Sequence, residues 1–169
     1  MNSPVAGETW LDAVIDGAVG GLAATLPMTL SMLLMRALMP WHERYDLEPQ
    51  LVTESTAKRL RLQRLLGRHQ RQTISMMLHF GFGAAAGSIF GLSARLLALP
   101  LALGGVIYGL LVWTGAYAGV IPMLGILRPP HRRPRSRNAM MIVAHVVWGG
   151  VLGLFLQREA RQLQRVKRG

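Results

Sequence analysis

Four long apolar stretches, separated by segments that hold almost all of the charge, constrain this chain more than any other feature. They cover residues 13–35, 74–94, 96–127 and 139–156. At 1.5 Å per helical residue, each is long enough to cross about 30 Å of hydrocarbon, the last one barely. The sequence therefore predicts an all-α membrane protein with four transmembrane helices in a single integral membrane domain, residues 1–169, without a cleavable signal.

The Lys and Arg residues predict the orientation. The two long loops, which follow the first and third apolar stretches, hold 13 of them, and the opposite side of the membrane receives 6. Because positively charged loops stay in the cytoplasm, we expect both loops there and both termini outside. The basic tail, residues 158–169, contributes five of those six and opposes this assignment.

A further helix is predicted within the first loop, over residues 47–66. Pro49 suits its first turn, basic residues dominate its end, and Gly67 suits the stop. Because apolar residues favour one side, we expect a basic amphipathic interfacial helix on the inner leaflet, with a solvated helical loop as the alternative. The residues predicted to contact lipid headgroups are Lys58, Arg59, Arg61, Arg64 and Arg68 here, and Arg132, Arg133 and Arg135 in the second loop.

The formal net charge of +11 raises the question of a nucleic-acid partner. Such proteins normally present a basic face on a soluble domain, whereas these basic residues flank apolar stretches. Membrane lipids with anionic headgroups are therefore the predicted partners, and nucleic acid is not. The chain contains no cysteine, which excludes disulfides, thiolate metal sites and cysteine nucleophiles.

One pattern, H-x-x-(F/W)-G-x-x-x-G, occurs twice, as HFGFGAAAG at residues 79–87 and HVVWGGVLG at residues 145–153. Two transmembrane helices return the chain to its starting side. The sequence thus predicts two parallel repeated helical hairpins, about 11–98 and 100–157, related by an axis along the membrane normal. The alternative is a chance likeness between glycine-rich apolar helices.

Small residues predict how the helices pack. The first and third stretches share Gly, Ala, Pro and Met over residues 20–28 and 115–123, which also favours a repeat. Lipid provides no hydrophobic drive between helices, so close backbone approach at glycine holds them together. Such faces suit packing within the chain, a homo-oligomer or a membrane-complex partner. The predicted packing positions are Gly17, Gly21, Gly83, Gly87, Gly105, Gly109, Gly115, Gly119, Gly149 and Gly153.

His79 and His145 fall at equal depth, about six residues into the second and fourth predicted helices. An ionisable side chain inside the membrane is costly and is a functional candidate. The two imidazoles either pack, through hydrogen bonds to a carbonyl, a hydroxyl or each other, or hold haem b, copper, or a transported proton or solute. In a copper site Met28 and Met123 would add thioether ligands, although methionine also fills gaps between helices.

The Leu-Glu-Pro-Gln-Leu-Val-Thr-Glu loop, the HFGFGAAAGSIFGL segment and the closing AHVVWGGVLG segment together resemble the YagU-like family of small, uncharacterised bacterial inner-membrane proteins. The resemblance spans most of the chain, on loose Gly, Pro and His motifs. It implies a multi-pass protein of the bacterial inner (plasma) membrane, and it carries over no catalytic residue.

Catalysis is not expected, because the sequence shows no Ser-His-Asp order and no phosphate-binding glycine loop before a lysine. The predicted role is structural or in an interaction, without a cofactor, and the alternative is ligand or ion handling at His79 and His145. An ion pair between Asp16 and Arg95 is predicted near the outer end of the bundle. Leaving either charge unpaired there would cost on the order of several kcal/mol.

Overall fold

A computed structural model of the chain describes residues 9–44, 47–61, 67–94, 99–126 and 130–166. Throughout these residues the chain forms helices and turns and contains no strand. A π-helical segment, Thr114–Val120, joins the fourth helix to the fifth, and 3-10 turns lie at Trp41–Glu43 and Pro130–Arg132. The helices are α1 (Trp10–Leu38), α2 (Glu48–Arg59), α3 (Arg68–Ala94), α4 (Leu101–Trp113), α5 (Ile121–Met123) and α6 (Arg135–Val166).

Within the described residues, four helical spans are long and apolar enough to cross a membrane. They are Trp10–Leu38, Arg68–Ala94, Leu101–Met123 and Arg135–Val166. The outside of α1 is also apolar, because Leu26, Leu30 and Leu34 are exposed at four-residue spacing. A continuous apolar face of this kind is unfavourable in water and suits lipid. The prediction of an all-helical chain with four candidate membrane spans is confirmed.

α1 begins at a capping box. Thr9 Oγ1 accepts a hydrogen bond from the Asp12 amide at 3.1 Å, and Asp12 Oδ2 accepts one from the Thr9 amide at 2.7 Å. These bonds satisfy two amides that helix geometry leaves without partners. The helix then continues through Pro27 and ends at Leu38, just before Pro40.

The helices differ in length from the predictions. α3 and α6 begin at Arg68 and Arg135, six and four residues before the predicted apolar stretches. Arg and Gln are good helix formers, so these ends stay helical beyond the apolar region. α2 ends at Arg59, seven residues earlier than predicted, and residues 62–66 lie outside the described part of the chain. α6 runs through most of the basic tail to Val166.

Two helical hairpins form the bundle, with α1 packed antiparallel to α3 and α4 packed antiparallel to α6. Glycine lets the backbones touch in both hairpins. A Cβ atom on Gly21 would overlap the carbonyl oxygen of Gly83, and one on Gly105 would overlap that of Gly149. We call these two contacts the glycine seams. They comprise Gly17, Gly21, Gly83 and Gly87 in the first hairpin, and Gly105, Gly109, Gly149 and Gly153 in the second.

Two of the glycines predicted to pack lie outside the seams. Among the described residues, a Cβ atom on Gly115 would have no neighbour within 4 Å, and one on Gly119 would meet only the Thr114 carbonyl oxygen, at 3.9 Å. Both glycines belong to the π-helical segment. Its wider turns take up extra residues, and each added residue rotates the helix face by about 100°. Gly115 also lies six residues after Gly109, which in a regular helix is about 240° around the axis, so the four-residue spacing of Gly115 and Gly119 does not place them on the side that faces α6.

Aromatic side chains join the two hairpins at the centre of the bundle. The Tyr108 ring lies between those of Phe90 and Trp148, with centroid separations of 5.1 Å and 6.1 Å. Its hydroxyl donates to the Ala86 carbonyl at 2.8 Å, and the Trp148 indole donates to the Gly21 carbonyl at 3.1 Å. The hairpins also meet along α1 and α6, whereas the contact between α3 and α4 is much smaller.

Candidate functional site

A cavity of about 50 Å³ lies inside the bundle, at the end that carries α2. Side chains from α1, α2, α3, α4 and α6 line it, together with Tyr117 of the π-helical segment. Both repeated histidines, His79 and His145, belong to this lining. Because a water molecule needs roughly 10–15 Å³ of such volume, the cavity has room for a few waters or one ion.

Three residue pairs in the lining have the same sequence separations as glycines of the two seams. They are His79 with His145, Phe82 with Trp148, and Met28 with Val112. The first two pairs are 66 residues apart along the chain, and the third is 84 apart. The glycine seams keep the same spacings, 66 from Gly83 to Gly149 and 84 from Gly21 to Gly105. One correspondence between the hairpins therefore accounts for both the seams and the cavity.

This spacing differs from that of the predicted match of residues 20–28 with 115–123, which are 95 residues apart, and that match stays a prediction. The structural spacing of 84 is shorter by 11 residues. Eleven residues make about three helical turns, so the shift leaves every position on nearly the same helix face. Gly20 and Gly21 of α1 therefore match small residues in either register, either Gly104 and Gly105 or Gly115 and Ala116.

His145 is almost fully buried, with 4% of its surface exposed. Its Nδ1 lies 2.8 Å from the carbonyl oxygen of Met141, one turn earlier on α6. A carbonyl only accepts hydrogen bonds, so Nδ1 carries the proton of the neutral ring. Nε2 therefore keeps its lone pair for another partner.

His79 has the opposite arrangement. Its Nε2 lies 3.3 Å from the hydroxyl oxygen of Thr29 on α1. That hydroxyl already donates its hydrogen to the Thr25 carbonyl at 2.7 Å, so it accepts from His79. In the neutral ring the proton is then on Nε2, and Nδ1 keeps the lone pair. Each imidazole thus has one nitrogen with a hydrogen-bond partner, and its other nitrogen has none among the described residues.

The methionines differ in burial and in whether they line the cavity. Met28, Met32 and Met141 are buried and line the cavity with the histidines. Met123, predicted as a metal ligand beside Met28, is 86% exposed and lies outside the lining. Met123 follows the π-helical segment, whose added rotation accounts for its outward position. Met141 therefore lies in the cavity lining with Met28, and Met123 does not.

Sequence reasoning missed an aromatic contact at the cavity. The Tyr117 ring meets the His145 ring edge-on, with centroids 6.0 Å apart and planes at 78°. The Arg133 guanidinium lies over the Tyr117 ring, 5.8 Å from the ring centroid. Tyr117 belongs to the π-helical segment, and the sequence contains no pattern that predicts a π-helix.

Ser75 was also missed. It lies on α3 one turn before His79 and is fully buried, and within the described residues its hydroxyl has no hydrogen-bond partner. A buried hydroxyl normally bonds to protein or to an ordered water. The sequence signal for Ser75 is its position four residues before His79, about one helical turn away.

The side chains that line the cavity suit some ligands better than others. Within the described part of the chain, no cluster of three or more His, Asp or Glu side chains is placed to hold a metal ion. The cavity volume of about 50 Å³ is also far below the roughly 300–1,000 Å³ typical of pockets for larger ligands. The cavity combines two imidazoles with thioethers, in a space for one ion.

The sequence of this bundle matches one described family. Residues 53–154, more than half of the chain, match the family described as "Protein of unknown function (DUF1440)". The chain belongs to the DUF1440 family. The match includes both histidines and the helices α3, α4 and α5, and it leaves out α1. No curated protein matches this chain, and no solved structure does.

In this DUF1440 protein α2 packs against the bundle. Leu47, just before α2, is buried in the core with Met28 and Met32, and Pro49 lines the cavity. Glu54 forms an ion pair with Arg71 of α3 at 2.9 Å, and the Arg59 guanidinium donates to the Leu124 carbonyl. α2 thus borders the cavity through Pro49.

The basic side chains predicted to contact lipid lie at the same end. Arg133 is partly buried, and Arg64 lies outside the described residues. The exposed ones are Lys58, Arg59, Arg61, Arg68, Arg132 and Arg135. At the opposite end, Asp16 is partly buried on α1, and Arg95 lies outside the described residues, so their ion pair stays a prediction.

Proposed function

We propose that this DUF1440 protein is a non-catalytic protein of the bacterial inner membrane, resembling the YagU-like proteins, with a structural or interaction role. Its two hairpins are parallel repeats about an axis along the membrane normal. The observation that carries the repeat is the cavity lining, in which His79 and His145, and Phe82 and Trp148, keep the same 66-residue spacing. Parallel repeats of this kind are common in membrane proteins.

The end of the bundle that carries α2 faces the cytoplasm in this proposal. Both long basic loops are at that end, and positively charged loops stay inside. The exposed Lys58, Arg61 and Arg68 side chains contact anionic headgroups, at roughly 1 kcal/mol per basic residue near the surface. α2 then lies between the bundle, which it contacts through Leu47 and Glu54, and the inner leaflet.

Cysteine labelling of the full-length protein tests this orientation, because the natural chain has no cysteine. We expect Lys58→Cys and Arg132→Cys to react with a membrane-impermeant maleimide in inside-out vesicles, and Leu99→Cys to react in right-side-out ones. All three positions are exposed in loops or at a helix end. The reverse labelling pattern would overturn the orientation.

The same variants test the lipid contacts. In reconstituted vesicles with anionic lipid, Lys58→Cys should react more slowly than with zwitterionic lipid, and salt should remove the difference because it screens exposed charges. Leu99→Cys, which lies away from the basic loops, is the matched control and should not respond. A Lys58→Cys rate that is independent of lipid charge would contradict the proposed contact.

A second candidate function is ligand handling at the cavity, and one observation favours it. Within the part of the chain that the structure describes, one ring nitrogen of His79 and one of His145 have no hydrogen-bond partner, and both rings line the same cavity. The candidate occupants are haem b, copper, or a proton or solute in transit. An absorption spectrum and a metal analysis of the purified protein separate them. A Soret band lost in His79→Ala would establish haem, and copper lost in the same variant would establish copper.

A further inference from the structure

We propose that the cavity binds a single Cu(I) ion through the imidazoles of His79 and His145 and the thioethers of Met28 and Met141. This inference rests on the second candidate function and names its ligand. All four side chains line the cavity, and both hairpins contribute one histidine and one methionine. The donors thus come from α1, α3 and α6, so the ion would connect the two hairpins.

The imidazoles are prepared to act as ligands. Metal-binding histidines usually donate their second ring N–H to a carbonyl or hydroxyl, which fixes the ring orientation and the tautomer. The Met141 carbonyl does this for His145 at 2.8 Å, and the Thr29 hydroxyl does it for His79 at 3.3 Å. The nitrogen that each ring retains is the one that a metal would take.

The thioethers select a soft ion. Thioether and imidazole ligands suit Cu(I), whereas Mg²⁺, Ca²⁺ and Mn²⁺ prefer carboxylate, carbonyl and water oxygens. The part of the lining that the structure describes includes no carboxylate. Met28 and Met141 are buried, so their sulfur atoms are shielded from competing bulk water.

The charge of the site favours a monovalent ion. All four proposed ligands are neutral, and the cavity lies inside a membrane bundle, where charge is costly to bury. The Born free energy of burying an ion rises with the square of its charge, so burying a divalent ion would cost about four times as much as burying Cu(I). The volume of about 50 Å³ suits one ion with few or no waters.

A competition titration of the full-length protein in lipid nanodiscs tests the proposal. Cu(I) is supplied without oxygen and competed with bicinchoninate, a chromogenic Cu(I) chelator. We expect one Cu(I) per chain, and copper-edge X-ray absorption that shows both sulfur and nitrogen neighbours. His79→Gln and His145→Gln should each weaken binding by roughly tenfold or more, the range found when supporting groups of metal sites are removed.

Methionine variants supply matched controls. Met28→Leu and Met141→Leu keep the volume and apolarity of the side chain but remove the sulfur, and they should weaken Cu(I) binding and lower the sulfur signal. Met123→Leu and Met77→Leu make the same change at exposed positions and should leave both readouts unchanged. Equal loss in all four variants, or no loss in any of them, would overturn the proposed ligand set.

A cross-linking experiment distinguishes two outcomes: that the copper site alone is wrong, or that the shared cavity of the two histidines is wrong as well. A His79→Cys, His145→Cys double variant of this cysteine-free chain should be joined by a short bifunctional maleimide. If the cross-link forms but the natural protein does not retain Cu(I) against bicinchoninate, the shared cavity stands and the copper site is wrong. If the cross-link does not form, both the cavity and the copper site are wrong.

Discussion

Replacing Gly87 or Gly149 by leucine is expected to separate a helix hairpin and to cost about 3 kcal/mol or more. At Gly87 a Cβ atom would overlap the Gly17 carbonyl oxygen, and at Gly149 it would overlap the Gly105 carbonyl oxygen. The obstructing atoms are backbone atoms of a neighbouring helix, so no side-chain rotation removes the overlap. Either the helices move apart or the variant does not fold.

Equilibrium unfolding of the purified protein in mixed micelles measures this cost. Gly81→Leu and Gly115→Leu are matched controls, since they make the same change within helical spans where a Cβ atom would meet no other described residue. They should change stability little. If Gly87→Leu were as stable as Gly81→Leu, the close approach of α1 and α3 would not exist in the membrane.

Hydropathy and the glycine spacing were enough to predict the four candidate spans. A helix needs about 20 apolar residues to cross the hydrocarbon of a membrane, and a stretch of that length is easily recognised in a sequence. The repeated H-x-x-(F/W)-G-x-x-x-G pattern likewise singled out His79 and His145, which the structure places in one cavity lining. Residues on α3 and α6 could be compared directly because both helices are regular around the motif.

The residues around the histidines were harder to predict. Met123 was paired with Met28 through the match of residues 20–28 with 115–123, but the π-helical segment Thr114–Val120 changes the face on which later residues lie, and Met123 is exposed. Leu47 and Pro49 were assigned to an interfacial helix because an apolar residue in a loop helix looks the same whether it contacts lipid or protein. Only tertiary contacts show that Leu47 is in the core and that Pro49 borders the cavity.

Trp148→Ala is expected to destabilise the bundle by roughly 3–5 kcal/mol, the usual range for truncating a buried aromatic residue. Trp148 is buried between the hairpins, lies 6.1 Å from the Tyr108 ring and donates its indole N–H to the Gly21 carbonyl at 3.1 Å. It also lines the cavity, so its removal would enlarge the space between His79 and His145. The loss should appear as a lower unfolding midpoint in mixed micelles.

Two further variants assign the origin of that loss. Trp41→Ala removes the same side chain from a position that is 82% exposed, and it should change stability by much less. Trp148→Phe keeps most of the ring but removes the donor to the Gly21 carbonyl, and it should cost about 1 kcal/mol, because interhelical hydrogen bonds in membrane proteins are weak. A small loss for Trp148→Phe with a large one for Trp148→Ala would show that ring packing holds the hairpins together. Equal losses in Trp148→Ala and Trp41→Ala would contradict a central position for Trp148.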